Sequence, residues 1–276
     1  MPELPEVETT RRHLEPVLVG ARVERVEVRR HRMVRRQEST ADFIHRLKGR
    51  SIAALDRKGK FLLARLTGDF TWITHLGMSG RLQVAVGGEP EVPHTNVLVA
   101  LAGGAEVRFV DPRTFGFMAV YTPEELARSP LASLGRDALD DLPRSSYFAG
   151  LLAGRTAPIK ALLLDQRIVA GLGNIYADEV LHRARIDPNR LGGSLEGDEI
   201  KALRAAIRPV LEAGLKAGGT SLDDRAYLLP DGRAGDYLIR LRVYGRAGER
   251  CRRCGGTVTA GVLRGRSTHW CPRCQR

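Results

Sequence analysis

Residues 251–274 read CRRCGGTVTAGVLRGRSTHWCPRC, two Cys-x2-Cys pairs sixteen residues apart. That spacing suits a four-thiolate zinc site built from two knuckles on a β-hairpin. Each pair brings two sulfurs to one ion from a tight turn, and the ion replaces a core that roughly 35 residues cannot assemble. Cys251, Cys254, Cys271 and Cys274 are the expected ligands of one Zn2+. Four thiolates complete a tetrahedral ion and leave no position for water, so the zinc is expected to be structural and any catalysis to come from elsewhere. Disulfides fit poorly, because all four cysteines fall within the last 26 of 276 residues and a reducing cytosol does not sustain them. Between the pairs, LRGRSTHW carries Arg264 and Arg266, either planar forks suited to phosphate or solvated charges.

The charge of this segment extends outward. From Ile239 to Arg276 there are ten Arg, no Lys and one acid, Glu249. The whole chain has 44 Lys+Arg against 32 Asp+Glu, a net charge of +12 and a pI near 10.1. This charge points towards a polyanion, nucleic acid ahead of acidic membrane surfaces, with simple solubility as the other reading. No run approaches the roughly 18 apolar residues of a membrane span, and the N-terminus lacks a basic-then-apolar signal, so a cytoplasmic location is expected. With 43% hydrophobic residues the chain can fill the cores of two compact domains, or of one large domain with an appendage.

Upstream, short β-prone runs punctuated by Gly and Asp extend from Val23 to about Tyr121: VERVEVRR, SIAALDRKG, KFLLARL, FTWITHL, RLQVAV, NVLVALAG, EVRFVD and GFMAVY. Their alternation predicts an antiparallel sandwich or flattened barrel. Helical patterns follow in APIKALLLDQRIVAG, NIYADEVLHRARI and LEGDEIKALRAAIRPVLEAGLKAGG, with Ser194 and Asp198 as candidate caps and Gly218-Gly219 as a stop. A Gly- and Asp-rich loop, TSLDDRAYLLPDGRAGDY, leads into the cysteine module and is long enough to be mobile or functional. The expected fold class is multidomain α+β: a catalytic β-sandwich with a flanking helix (1–132), a helical domain (133–236) and a zinc β-hairpin (237–276).

The chain opens MPELPEVETTRRHL. Removal of Met1 ahead of Pro is expected to leave Pro2 as a free secondary amine. An α-amino group titrates near 8 and a lysine near 10.4, so roughly a hundredfold more of the terminal amine is unprotonated at neutral pH. A secondary amine attacking a sugar C1′ forms only an iminium, a cationic electron sink for elimination, and Glu3 is placed to protonate the ring oxygen or to shuttle protons. Equally, Pro2-Glu3-Leu4-Pro5 reads as a stiff lead into a helix, with Pro5 at its first position, acids in its first turn and Pro16 ending or kinking it.

Together, these elements resemble the formamidopyrimidine-DNA glycosylase family, over essentially the full length. The resemblance implies a bifunctional enzyme that excises oxidised purines and cleaves the abasic strand. It implies Pro2 as the Schiff-base nucleophile and Glu3 as proton donor, while Leu4 sets the chain apart from the related endonuclease VIII branch, which usually has Gly there. DRKGKFLL places Lys60, rather than its neighbour Lys58, at the family lysine of phosphate contact and proton transfer. HLGMSGR and DPRTFG are similar to the loops whose side chains, here Met78, Arg113 and Phe115, fill the space left by a flipped nucleotide. His75, His94 and Arg155 take phosphate-contact positions. GLGNIYADEVL resembles the turn of a helix–two-turn–helix motif, with Asn174 holding phosphates beside the lesion, a role that helix-start N–H groups also suit. Arg266 matches the hairpin arginine that grips the backbone and takes part in δ-elimination. In GDYLIRLRVYGR, Tyr237-Leu238 replaces a more aromatic pair, which bears on lesion selectivity.

The resemblance further implies double-stranded damaged DNA as partner, clamped through its phosphates in the cleft between the β-domain and the helical–zinc module, with no membrane association, a monomeric state and a place on the nucleoid. Two alternatives differ in kind: an endonuclease VIII-like activity on oxidised pyrimidines, and a non-catalytic zinc-ribbon DNA-binding protein, which retention of Met1 would favour.

Overall fold

The computed structural model describes residues 2–221 and 227–276. Met1, whose removal is expected, and 222–226 of the Gly- and Asp-rich loop lie outside the described residues. The chain divides into two compact units, 1–133 with 217–236, and 134–216 with 237–276.

In the first unit all eight β-prone runs are strands: β1 (Val23–Val28), β2 (Ile52–Lys58), β3 (Phe61–Leu66), β4 (Thr71–His75), β5 (Arg81–Val86), β6 (Thr95–Leu101), β7 (Ala105–Val110) and β8 (Phe117–Tyr121). They form two antiparallel four-stranded sheets, ordered β1-β6-β7-β5 and β2-β3-β4-β8. Side chains at alternate positions meet in one apolar core: Val26, Val97, Val99, Val107 and Phe109 from the first sheet, Leu62, Ala64, Trp72, Met118 and Val120 from the second. Burying each Val, Leu, Phe or Met among them contributes about 1.5–3 kcal/mol. Two helices join this core, α1 (Leu4–Leu18) through Val7, Leu14 and Leu18, and α2 (Thr40–Leu47) through Phe43 and Leu47. The Ser39 hydroxyl starts α2 by accepting the Asp42 N–H at 3.0 Å. In α1, Pro5 is the second residue, and the helix runs through Pro16 to Leu18. A short α3 (Pro123–Ala127) closes the unit, boxed by Thr122 and Glu125.

The segment 217–236 was expected with the helices but packs within the first unit, for two reasons. The Thr220 N–H reaches the Glu6 carboxylate at 2.7 Å, and the Pro230 carbonyl accepts the N–H of Val84 on edge strand β5 at 3.1 Å. Gly219 permits the first contact. Its φ is +86°, and a Cβ there would lie 2.9 Å from Glu6 Cγ and Oε1.

The second unit holds β9 (Arg136–Asp137) paired in parallel with β10 (Val169–Ala170), and helices α4 (Ser145–Leu152), α5 (Ile159–Leu164), α6 (Asn174–Ala184) and α7 (Gly197–Lys216). Neither Ser194 nor Asp198 caps α7. The Glu199 carboxylate takes the Glu196 N–H at 2.8 Å instead, while Asp198 lies in the first turn paired with Lys201. The cysteine module is the hairpin β11 (Thr259–Leu263) and β12 (Arg266–Trp270), and it belongs to this unit. Its two-residue turn, Arg264-Gly265, has positive φ at both positions (46° and 76°), as a type I′ turn requires.

Candidate active site and nucleic-acid surface

Pro2 and Glu3 are buried, Glu3 with 1% of its surface exposed at the N-cap of α1. What fixes them is Glu6. One oxygen of its buried carboxylate accepts the Glu3 N–H at 2.8 Å and the other the Thr220 N–H at 2.7 Å. The Tyr227 phenol donates to the Glu6 carbonyl at 3.2 Å; burial and then the Glu6 charge push its pKa up, so it stays a donor. Sequence reasoning saw in Glu6 only a first-turn acid favourable to the helix dipole.

Lys60 occupies the β2–β3 turn, 9% exposed. The next residue, Phe61, packs on His75 (ring centroids 4.8 Å), and His75 stacks on Phe117 at 5.7 Å. Burial first, then the charges of Lys60, Arg36 and Arg35, pull the His75 pKa down to about 4, so the ring is neutral at pH 7. Its Nδ1 accepts the Gly77 N–H at 3.1 Å, which assigns the proton to Nε2 and leaves that atom a donor. Lys58, by contrast, donates to the Leu131 carbonyl at 3.2 Å.

The two loops carrying Met78, Arg113 and Phe115 lie side by side. Asp111 joins them: Ser79 Oγ donates to one carboxylate oxygen at 2.6 Å, and the Gly116 N–H to the other at 2.8 Å. Contact is so close that a Cβ on Gly77, which has φ +67°, would stand 2.4 Å from the Gly116 nitrogen. Met78 is half-buried; Arg113 lies 4.9 Å over the ring of Phe115, which is 42% exposed. From the other side Arg35 donates to the Phe115 and Gly116 carbonyls at 3.0 and 2.6 Å, and Arg32 to that of Thr114 at 3.2 Å. These two arginines escaped sequence reasoning, which read nothing in HRMVRRQ. His94 sits beside this cluster with φ +67° and an exposed ring, its carbonyl accepting the Asp111 N–H at 3.1 Å.

In the second unit, Asn174 and the start of β12 meet. Asn174 Nδ2 donates to the Ser267 carbonyl and hydroxyl, both at 3.0 Å, which places it one residue from exposed Arg266. A buried ion pair holds the strand in place. Lys160 Nζ lies 2.7 Å from Asp178 Oδ1 and donates to the Ser267 carbonyl at 2.6 Å and Thr268 Oγ1 at 2.9 Å, while Asp178 Oδ2 takes the His269 N–H at 2.9 Å. Both side chains are fully buried. The signal existed, since Lys160 and Asp178 interrupt apolar helical runs, but the pairing of α5, α6 and β12 is tertiary. Arg155 is not part of this group. It is exposed beyond α4 and donates to the Leu151 carbonyl at 3.3 Å. Tyr237 is buried in a stack on Tyr176 at 5.4 Å, while Leu238 is 37% exposed.

The four cysteine sulfurs lie within 4.8 Å of one another, with Cys251–Cys274 at 3.8 Å and Cys254–Cys271 at 3.5 Å. A disulfide needs about 2.05 Å. A tetrahedron of sulfurs at about 2.3 Å from zinc has edges of about 3.8 Å, so these residues fit the ion. His182 Nε2 lies 3.4 Å from Cys251 Sγ, and the Gln275 amide takes the Cys271 N–H at 2.8 Å while donating to the Ile186 carbonyl at 2.9 Å. Both contacts tie the knuckles to α6 and its C-terminal loop.

A buried N-terminal Pro-Glu, an edge of Met, Arg and Phe on a β-sandwich, and a four-cysteine hairpin whose Ser267, beside Arg266, is bonded by Asn174 mark the class of zinc-containing DNA-processing proteins. Three family models match in succession: the formamidopyrimidine-DNA glycosylase N-terminal domain at residues 1–118, its H2TH domain at 134–226, and the zinc finger found in FPG and IleRS at 248–276. Formamidopyrimidine-DNA glycosylase of Moorella thermoacetica is 48% identical over 92% of each chain, and that of Heliobacterium modesticaldum 44% over the whole of both. Among solved structures, a Lactococcus lactis FPG mutant in complex with Fapy-dG-containing DNA aligns over the whole of both chains with TM-score 0.92 and 34% identity. The MutM (FPG) protein of Thermus thermophilus aligns over 99% of this chain and 98% of its own, with TM-score 0.89 and 41% identity. The chain belongs to the formamidopyrimidine-DNA glycosylase family.

Proposed function

We propose that this protein repairs DNA by excising oxidised purines, 8-oxoguanine and formamidopyrimidines, and then cleaving the abasic strand. The observation that carries the reading is the Pro2-Glu3 terminus, buried and fixed by Glu6 in a chain whose whole length belongs to this family. DNA is engaged through its phosphates, by Arg266 and Asn174 on the second unit and by Lys60 and the Nε2–H of His75 on the first, with His94 and Arg155 adding outer contacts. The damaged nucleotide is extruded, and Met78, Arg113 and Phe115 fill its place. The Pro2 nitrogen forms a bond to C1′ as the glycosidic bond breaks; the base leaves with a proton, and Glu3 protonates the ring oxygen as the sugar opens. Removal of a C2′ proton sends its electron pair into the resulting iminium, and the enamine so formed returns a pair to C2′–C3′ as the 3′ phosphate leaves with the C3′–O electrons. A second elimination expels the 5′ phosphate, assisted by Arg266. The zinc supplies structure by holding Arg266 in place. No helix among the described residues is long and apolar enough to cross a membrane, and the proposed location is the cytoplasm, on the nucleoid.

Borohydride trapping on a labelled duplex carrying 8-oxoguanine opposite cytosine, with mass spectrometry of the adduct, tests the reading. A cross-link on Pro2 is expected. Pro2→Gly is expected to bind the duplex but to lose most base release, and undiminished release would remove Pro2 from the chemistry. A solved complex of the wild-type Lactococcus lactis enzyme holds DNA containing an oxidised pyrimidine, so a wider lesion range is a second reading. Competing 8-oxoguanine and thymine-glycol duplexes separate the two.

A further inference from the structure

The second unit contains a concavity of about 660 Å³ that the repair chemistry does not use, bounded by α6, α7, residues 237–242 and the first zinc knuckle. Its polar lining is dominated by arginine: Arg183, Arg240, Arg242, Arg252 and Arg253. One acid, Glu179, lines it, but that carboxylate is 2% exposed and accepts the N–H groups of Arg242, Val243 and Tyr244 at 2.9–3.0 Å. Among the described residues no carboxylate pairs with Arg183, Arg240 or Arg242. All five arginines are solvent-exposed, so water and salt screen their mutual repulsion, and together they set a positive field over the hollow that favours an anion.

Two of the five are already held in place. Arg252 donates to the Ile239 carbonyl at 2.8 Å and Arg253 to that of His182 at 2.7 Å, so each keeps further N–H donors for a ligand. The remaining wall combines the apolar side chains of Val210 and Ala213 from α7 and of Ile239, which is 73% exposed, with His182 and Tyr237. Arginine forks and apolar side chains lining one hollow are complementary to a molecule with phosphates at one end and a flat, weakly polar body at the other. The volume falls in the range of small-ligand sites of roughly 300–1,000 Å³. A duplex, whose phosphates lie on a convex rod, does not fit a hollow of this size.

We propose that this hollow binds a nucleoside di- or triphosphate, with phosphates on Arg183, Arg240 and Arg242 and the nucleoside against Val210 and Ile239. The site depends on zinc, because Arg252 and Arg253 lie between the ligands Cys251 and Cys254.

Calorimetric titration of the zinc-loaded full chain with ATP, without DNA, tests this. One ATP per chain is expected, with a Kd on the order of 10–100 µM, inside the ceiling that ligand size sets. Arg183→Ser/Arg242→Ser should raise that Kd at least about tenfold, the weight of one charge-assisted bond, while leaving 8-oxoguanine release intact. Arg266→Ala should leave ATP binding unchanged. Loss of ATP binding in Arg266→Ala, or none in the double variant, would show the nucleotide occupying the DNA-phosphate surface and overturn the proposal. Tripolyphosphate binding as tightly as ATP would overturn the nucleoside half of the assignment. A hexa-aspartate peptide binding where ATP does not would replace the ligand class altogether.

Discussion

The β-sandwich and the zinc hairpin solve the same problem by opposite means. The sandwich buries a continuous core drawn from two sheets and two helices, so its stability is spread over many side chains. The hairpin's own buried cluster is Val243, Cys251, Val258 and Cys271, two of which are metal ligands. One strong local interaction does there what distributed burial does in the sandwich, and the positioning of Arg266 inherits that dependence. The two regions should therefore fail differently.

The largest effect is expected from Cys251→Ser or chelation. Structural zinc contributes about 10–16 kcal/mol in small zinc domains, so the hairpin should unfold and duplex affinity fall at least about a hundredfold, while the sandwich keeps its thermal transition. Retained affinity in a fluorescence titration would show that the hairpin is not part of the DNA surface. Next comes Lys160→Met, which leaves Asp178 buried without its cation. A loss of about 3–5 kcal/mol is expected, read by denaturant titration and confined to the second unit. δ-elimination should weaken more than base release as Arg266 loses its seat. A smaller effect concerns acid. The His75 pKa is lowered, so the unfolded chain takes up a proton first: His75 stabilises the sandwich above about pH 6.5, and that contribution is lost as pH falls towards about 4. His75→Asn should flatten this part of the stability profile, and an unchanged profile would mean that the ring takes up its proton at the same pH in the folded and unfolded chain. The smallest is Arg266→Ala, expected to reduce the salt slope of DNA binding by about one phosphate contact without moving either unit's melting.

The same contrast explains what was legible in the sequence. Eight strands could be read because the runs are short, β-prone and punctuated by Gly or Asp, several of them alternating, and the zinc site because its ligands come in two local pairs. The family resemblance supplied Pro2, Asn174 and Arg266, whose neighbourhood relations are long-range. Hidden from view were the contacts that seat them. Glu6 acts on Thr220 across the whole chain, Lys160 on β12, and Arg32 and Arg35 on the 114–116 loop. A lone charge in a helix or turn does not announce which distant backbone it holds. Arg155 marks the converse, since its matching motif position came without a hydrogen bond to the Asn174 and Arg266 group.

Asp111 has one more consequence. Because a single carboxylate fastens Ser79 and Gly116 from neighbouring loops, Met78, Arg113 and Phe115 stand on a common edge rather than on three independent tips. The ordering entropy of that edge is already spent when the chain folds. In the proposed role of this edge, an encounter with each successive base step has only side-chain rotamers left to freeze, which favours brief, frequent probing over slow induced fit. Freeing the loops from Asp111 should leave the chemistry of a captured lesion intact and lengthen the search for it.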